Sequence, residues 1–242
     1  MKTANSVFTT SLVIALAAGA HSANPIGIPE NYQLLFAEDF QSTNAASRFV
    51  YTDPAAWTVS EMSGRRSLEL KQQSNYQPTV RSPVNIALIA HQQFGDFILE
   101  VDLLQTSKEY GHRDLCLFYG FQSSTQFYYT HIATKADDHA HNCFLVQNAP
   151  RTKIARETTA GFDWGQGVWH KVRLERKASD GTIRVWVDDL SKPMMTAENQ
   201  LLGPGWVGFG SFDDTGKVSN IRIWGPHSES KTVPPFPRAA TK

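Results

Sequence analysis

From Leu34 to Trp224 the chain is a succession of short runs in which apolar and polar residues alternate with period two. Apolar residues at helical spacing are nearly absent. The clearest run is Phe97-Ile98-Leu99-Glu100-Val101-Asp102-Leu103, where Phe97, Leu99, Val101 and Leu103 fall on one face. Similar runs cover 34–40, 57–59, 67–71, 115–121, 127–133, 143–147, 171–176, 183–187, 207–212 and 221–224. Aromatic and β-branched residues dominate them, and turn residues such as Ser179-Asp180-Gly181 and Asp214-Thr215-Gly216 separate them. Such strands bury their apolar faces only by packing sheet on sheet. The pattern therefore predicts an all-β sandwich or jelly roll rather than an α/β fold.

Lys2, the apolar run Val7 to Ala20 and the small residues Ala18-Gly19-Ala20 predict a signal peptide over 1–20, with a second small-residue cleavage site at Ala23. The expected setting is secreted, either periplasmic or extracellular. Residues 24–226 are then one domain, and 227–242, with Pro234-Pro235 and Pro237, read as a Pro-rich disordered tail. No later stretch is long enough to span a bilayer. With 23 basic and 23 acidic residues and no run of either sign, the chain lacks the electrostatic footprint of a nucleic-acid binder. A monomer is expected.

The last third carries a recognisable order. Trp169-His170-Lys171-Val172-Arg173-Leu174-Glu175-Arg176 is followed by Gly181-Thr182-Ile183-Arg184-Val185-Trp186-Val187-Asp188-Asp189. Then come Gly205-Trp206-Val207-Gly208-Phe209-Gly210-Ser211-Phe212-Asp213-Asp214 and Val218-Ser219-Asn220-Ile221-Arg222-Ile223. This order resembles the concanavalin A-like lectin and glucanase superfamily, including laminin-G-like modules and the 3-keto-disaccharide hydrolase domain. The resemblance implies two packed antiparallel sheets, one concave, and an oligosaccharide or polysaccharide partner. It implies no particular activity, because the superfamily holds lectins, hydrolases and lyases.

Most histidines outside the termini fall between His112 and His141. If the three central strands form a meander, period-two parity puts His112, Asp114 and Cys116 opposite Leu115, Leu117 and Phe121. Likewise Tyr129 and His131 lie opposite Ile132, and His139, His141 and Cys143 lie opposite Phe144 and Val146. One face then gathers the imidazoles, with Asn142 beside them. The first and third strands of a meander lie about 9–10 Å apart, beyond disulfide reach, so Cys116 and Cys143 are expected as free thiols.

Three chemistries fit this inventory. β-Elimination on a uronate needs a cation on the carboxylate, a base and an acid. Arg81 or Arg113 suits the first role, and His112, His131, His139 and Tyr129 suit the others. These residue types resemble those of jelly-roll alginate lyases, whose strand motifs are absent here. A dehydratase acting on a terminal uronate needs the same groups. Hydrolysis needs paired carboxylates, for which Glu100 with Asp102, or Asp114 with Asp137 or Asp138, are candidates. Glu100-Val101-Asp102 resembles the start of the acidic motif of family 16 glucanases, without its second glutamate. A metal could be held by His139 and His141 with His131 or Asp114, but the spacing is not diagnostic and metal-free acid–base work ranks above it. No cofactor is expected, although loop calcium is common among relatives of this fold. Trp164, in the Gly161-Phe162-Asp163-Trp164-Gly165 loop, is the expected stacking surface for a sugar ring, with Asp114, His141 and Asn142 as further substrate contacts. Trp57, Trp186 and Trp206 read as core, and Asp213-Asp214 as turn residues. Without catalysis, the same fold would be a lectin-like binding module.

Overall fold

A computed structural model describes residues 24–237, so the expected signal segment lies outside the described residues. Eighteen strands and two short 3-10 turns make up the regular structure, with no α-helix among the described residues. The strands are β1 (Gln33–Glu38), β2 (Phe49–Tyr51), β3 (Trp57–Met62), β4 (Arg65–Leu70), β5 (Asn85–Ile89), β6 (Gln92–Phe94), β7 (Phe97–Gln105), β8 (Asp114–Ser123) and β9 (Gln126–Ala133). They continue with β10 (Asn142–Gln147), β11 (Thr152–Lys153), β12 (Ala155–Thr158), β13 (Trp169–Arg176), β14 (Thr182–Val187), β15 (Met195–Glu198), β16 (Trp206–Ser211), β17 (Gly216–Gly225) and β18 (Ser228–Ser230). No helix here is long and apolar enough to cross a membrane.

One sheet runs β12-β15-β14-β13-β7-β17-β4-β3, with β1 also paired to β17. The other runs β11-β10-β9-β8-β16-β5-β2. Between them lies the main core. Phe97, Leu99, Val101 and Leu103 of β7 enter it as alternation predicts, opposite Leu115, Leu117, Tyr119 and Phe209 of the second sheet. Glycine sets the closeness of the β16–β5 pairing. A Cβ at Gly210 would lie 1.8 Å from the Asn85 carbonyl oxygen, so this strand admits no side chain there.

The second sheet is unusual in having its outer face covered as well. Ile86, Leu88, Phe118, Phe127, Tyr129, Phe144, Val146 and Trp206 form a separate apolar cluster, against which Val80, Val233 and Phe236 pack. The tail accounts for part of this cover, which corrects the expectation of disorder from 227 onward. Through Pro237, where description ends, β18 pairs with β6, Val233 is buried, and Phe236 packs edge-on to Phe121 and Tyr76. A proline-rich stretch with two apolar anchors can dock on a sheet whose aromatic face would otherwise meet water.

The central meander is present, and both cysteines are free. Cys116 lies on the expected face and Cys143 does not. Cys116 belongs to the outer cluster, whereas Cys143 points into the inter-sheet core, because β10 is in register with β9 through Asn142↔His131 and Cys143↔Thr130. Phe121 also changes sides, across the irregularity in β8 between Tyr119 and Ser123. Burial pushes both thiols above their ordinary range. A thiol reagent should accordingly titrate close to none of the two thiols in the native protein and both after denaturation. Rapid native labelling of either would contradict this packing.

Candidate functional site

Where β8 begins and β9 and β16 end, six segments converge on a cleft of about 140 Å³ lined by Arg81, Tyr110, His112, His131, His139, Arg151, Phe212 and Asp213. His131 comes from β9. Tyr110 and His112 precede β8, His139 lies in the loop before β10, and Arg151 sits in the turn before β11. Arg81 belongs to the segment before β5, and Phe212 and Asp213 follow β16.

His131 forms the floor. Its Nδ1 lies 3.2 Å from the His139 carbonyl, and its Nε2 lies 3.2 Å from Asp114 Oδ2. Asp114 is completely buried behind it. The same oxygen accepts the Phe212 N–H at 2.9 Å and the Cys116 S–H at 3.2 Å. Burial pushes the Asp114 carboxyl up, but His131 and these donors together outweigh burial and hold it below the usual range. Next to it, Asp214 Oδ2 accepts the Asp114 N–H at 2.8 Å and the Tyr110 O–H at 2.9 Å. Burial first, then the Asp114 charge, push Asp214 up to about 7.

The walls are cationic. The Arg151 guanidinium stacks 4.1 Å above the Phe212 ring and donates from Nη2 to the His139 carbonyl at 2.8 Å. Arg81 has no side-chain hydrogen bond or ion pair among the described residues, and its backbone carbonyl receives the Arg151 N–H at 3.3 Å. His112 stands exposed at the rim, with Nε2 against Asp137 Oδ2, while Asp137 Oδ1 accepts the His139 N–H. Asp213 is the one carboxylate lining the cleft among the described residues.

Of the residues expected at a site, His112, His131, His139 and Arg81 therefore meet, with Asp114 directly behind. The others do not reach the cleft. Tyr129 is buried in the outer aromatic cluster, its hydroxyl without a partner, and burial holds its phenol well above the ordinary range despite nearby Arg151. Arg113 points to the opposite side and donates to the Gly165 carbonyl, as the parity of β8 dictates. Trp164 is not an exposed platform. It is 1% exposed and packed edge-on to Phe162 and His170, because its loop folds back onto the sandwich. His139 and His141 precede β10 rather than lying on it, so strand parity does not govern them. His141 is buried, with Nδ1 accepting the Ala133 N–H and Nε2 against Thr159. Asn142 Oδ1 accepts the Ala155 N–H.

Of the carboxylates considered for hydrolysis, Asp114 and Asp137 are tied to His131 and His112 at the cleft, and the other three are engaged elsewhere. Glu100 is ion-paired with Arg173, Asp102 with Arg65 and the Asn220 amide, and Asp138 with Lys153. The alternation missed Tyr110, Arg151, Phe212 and Asp213, which lie in loops. The Asp213-Asp214 pair was visible only as turn residues.

No family model matches the chain, and no curated protein sequence does. Solved structures do resemble it. The carbohydrate binding module CBM66 from Bacillus subtilis superposes with a TM-score of 0.53 at 14% identity, over 74% of this chain and 96% of that one. The winged bean acidic lectin, in complex with methyl-α-D-galactose, gives 0.55 at 14% identity, over 83% and 99%. The GH43 protein BlXynB from Bacillus licheniformis gives 0.52 at 10% identity, over 80% of this chain but 39% of the larger protein. The chain thus has the concanavalin A-like jelly-roll fold. Identities this low speak to fold alone.

Proposed function

We propose that the cleft holds an acidic sugar unit of an oligo- or polysaccharide, with Arg81 and Arg151 receiving its carboxylate. One observation carries this reading: two guanidiniums and three imidazoles from separate segments line one small cleft that contains a single carboxylate. Guanidinium forks match carboxylate geometry, and a partly enclosed cleft strengthens charge-assisted hydrogen bonds. The fold supports a sugar rather than another anion, since structures that share it are described as a lectin with a bound galactoside and a carbohydrate binding module. The leader-like segment at 1–20 fits an exported protein that meets such glycans outside the cell.

A second reading adds turnover by β-elimination, and the His112–Asp137 pair at the rim favours it. An imidazole held by a carboxylate beside two arginines is the arrangement that proton abstraction next to a neutralised uronate requires. Tyr129 and Arg113 have no part in this version, and His131 has both ring nitrogens facing protein acceptors.

Calorimetry against uronate oligosaccharides and their carboxyl-reduced counterparts tests binding. Arg81→Ala, which disturbs no internal contact of that side chain, should weaken the acidic ligand about tenfold and leave the reduced one unchanged. Equal affinity of the native protein for both ligands would refute the proposal. Absorbance at the conjugated-enol band on longer incubation separates elimination from binding alone.

A further inference from the structure

We infer that Asp114, Cys116 and His131 form a binding site for a zinc-class divalent ion at the floor of the cleft. The three side chains come from two adjacent strands. Asp114 and Cys116 are two apart on β8, and Cys116 is register-paired with His131 on β9, so all three project to the same face. They are 0%, 1% and 3% exposed, and their ligand atoms lie within 4.8 Å of one another. Asp114 Oδ2 stands 3.2 Å from both His131 Nε2 and Cys116 Sγ. Ligands around a tetrahedral ion with bonds of about 2.0–2.3 Å stand roughly 3.3–3.8 Å apart, so the two Asp114 separations need only a slight expansion.

A plain hydrogen-bonded cluster explains less. His131 Nε2 is at hydrogen-bond length from the carboxylate yet makes no hydrogen bond, and Asp114 Oδ1 also has no partner. The two groups thus sit side by side rather than aligned as donor and acceptor, which is how neighbouring ligands are disposed toward a shared ion. Leaving two such atoms buried and unpaired is unfavourable, and a cation would remove that cost. The other ring nitrogen, Nδ1, faces the His139 carbonyl. This is the outer contact that metal-bound histidines commonly make, and it fixes the tautomer that leaves Nε2 free to ligate.

The donor set selects the ion. Thiolate and imidazole with one carboxylate suit Zn²⁺ or Co²⁺, whereas Ca²⁺ and Mg²⁺ prefer oxygen throughout. With three protein ligands, a fourth position remains. It falls on the cleft side, where His131 and Asp213 both form part of the lining and the Asp213 carboxylate reaches within 4.8 Å of Asp114. A sugar oxygen, a water or Asp213 could complete the shell there. The inference does not depend on the proposed ligand of the cleft, because the metal alone tests it.

Cobalt supplies the readout. Titrating the full chain with Co²⁺ should saturate at about one equivalent and produce a thiolate-to-cobalt charge-transfer band in the near ultraviolet. The band should vanish in Cys116→Ser and persist in Cys143→Ser, which removes the thiol on the other face of the sheet. His131→Gln should weaken Co²⁺ binding at least 100-fold while near-ultraviolet circular dichroism confirms the fold. If Cys116→Ser misfolds, displacement of the native protein's cobalt spectrum by stoichiometric Zn²⁺ decides in its place. No saturable uptake, a charge-transfer band that survives in folded Cys116→Ser, undiminished binding by folded His131→Gln, or a spectrum that Zn²⁺ leaves unchanged would each overturn the assignment.

Discussion

Replacing Arg151 with alanine should weaken binding of a uronate oligosaccharide by about 100-fold or more, the largest loss expected from any single side chain of the cleft. Arg151 has two tasks. Its guanidinium lies 4.1 Å above Phe212 and 5.3 Å from the Phe144 ring, so the charge is fixed in place by aromatic faces rather than trailing in solvent. Its Nη2 also holds the His139 carbonyl, the same oxygen that faces His131 Nδ1. Removing it deletes a cation and releases the segment that positions His139. Arg81, by contrast, contributes charge from an exposed position without such packing. Arg151→Lys separates the two tasks. A lysine keeps the charge but cannot stack as a plane or donate as a fork, so it should recover only part of the affinity. Calorimetry at low and raised salt checks this, since a carboxylate-centred interaction weakens as salt increases. Arg151→Ala protein that is folded and binds the acidic ligand with native affinity would remove this cleft as the acidic-sugar site.

How much of this was legible without coordinates differs between fold and site, and the reasons are physical. β7 was readable because one of its faces enters the core while the other carries Glu100 and Asp102. β5 was invisible to the same test. Asn85–Ile89 is buried on both faces and so shows no alternation. The shared face of Asp114 and His131 was readable because each strand contained an unambiguous core residue, Leu115 and Ile132. Parity failed on β10 for a related reason. Phe144 and Val146 were assigned to the inter-sheet core for being apolar, but the outer face of this sheet is itself roofed by Val80, Val233 and Phe236. Burial alone does not say which side of a sheet a residue occupies when both sides are covered. The loop contributions had no signal at all. Arg151 and Asp213 are far from His112 in sequence. Asp213 follows the end of β16, beside the start of β8, and Arg151 comes back from the far end of β10 to reach the His139 carbonyl and the Phe212 ring. Trp164 failed in the opposite direction, since flanking glycines suggested exposure while the large apolar ring found a buried seat against His170.

The fold should also lose a pH-dependent share of its stability through His141, and comparison with a His141→Gln variant isolates it. The imidazole is 0% exposed and held in its neutral form: Nδ1 accepts the Ala133 N–H at 3.2 Å, which leaves Nε2–H to donate to Thr159 Oγ1 at 2.9 Å. A second proton would have to sit on Nδ1, facing the Ala133 N–H donor in a buried site. Burial therefore lowers the pKa from 6.5 to about 4, with the Ala133 contact opposing and His131 adding slightly. The sign follows directly. Between these two values the unfolded chain binds a proton that the folded chain refuses, so the stability supplied by neutral His141 is complete above pH 6.5 and drains away as pH falls towards 4. The full difference is about 3 kcal/mol. Asp214 runs the other way, because a carboxyl raised to about 7 gains protons on folding, and the depressed Asp114 beside it partly offsets that gain. The native profile is thus a sum, which is why the variant matters. Glutamine does not titrate, so urea unfolding of the two proteins should show a stability difference that shifts by about 3 kcal/mol in favour of the variant between neutral and mildly acidic pH. Parallel profiles across that range would mean that His141 is reached by water or finds an acceptor on protonation, and that the segment holding it is looser than its contacts with Ala133 and Thr159 imply.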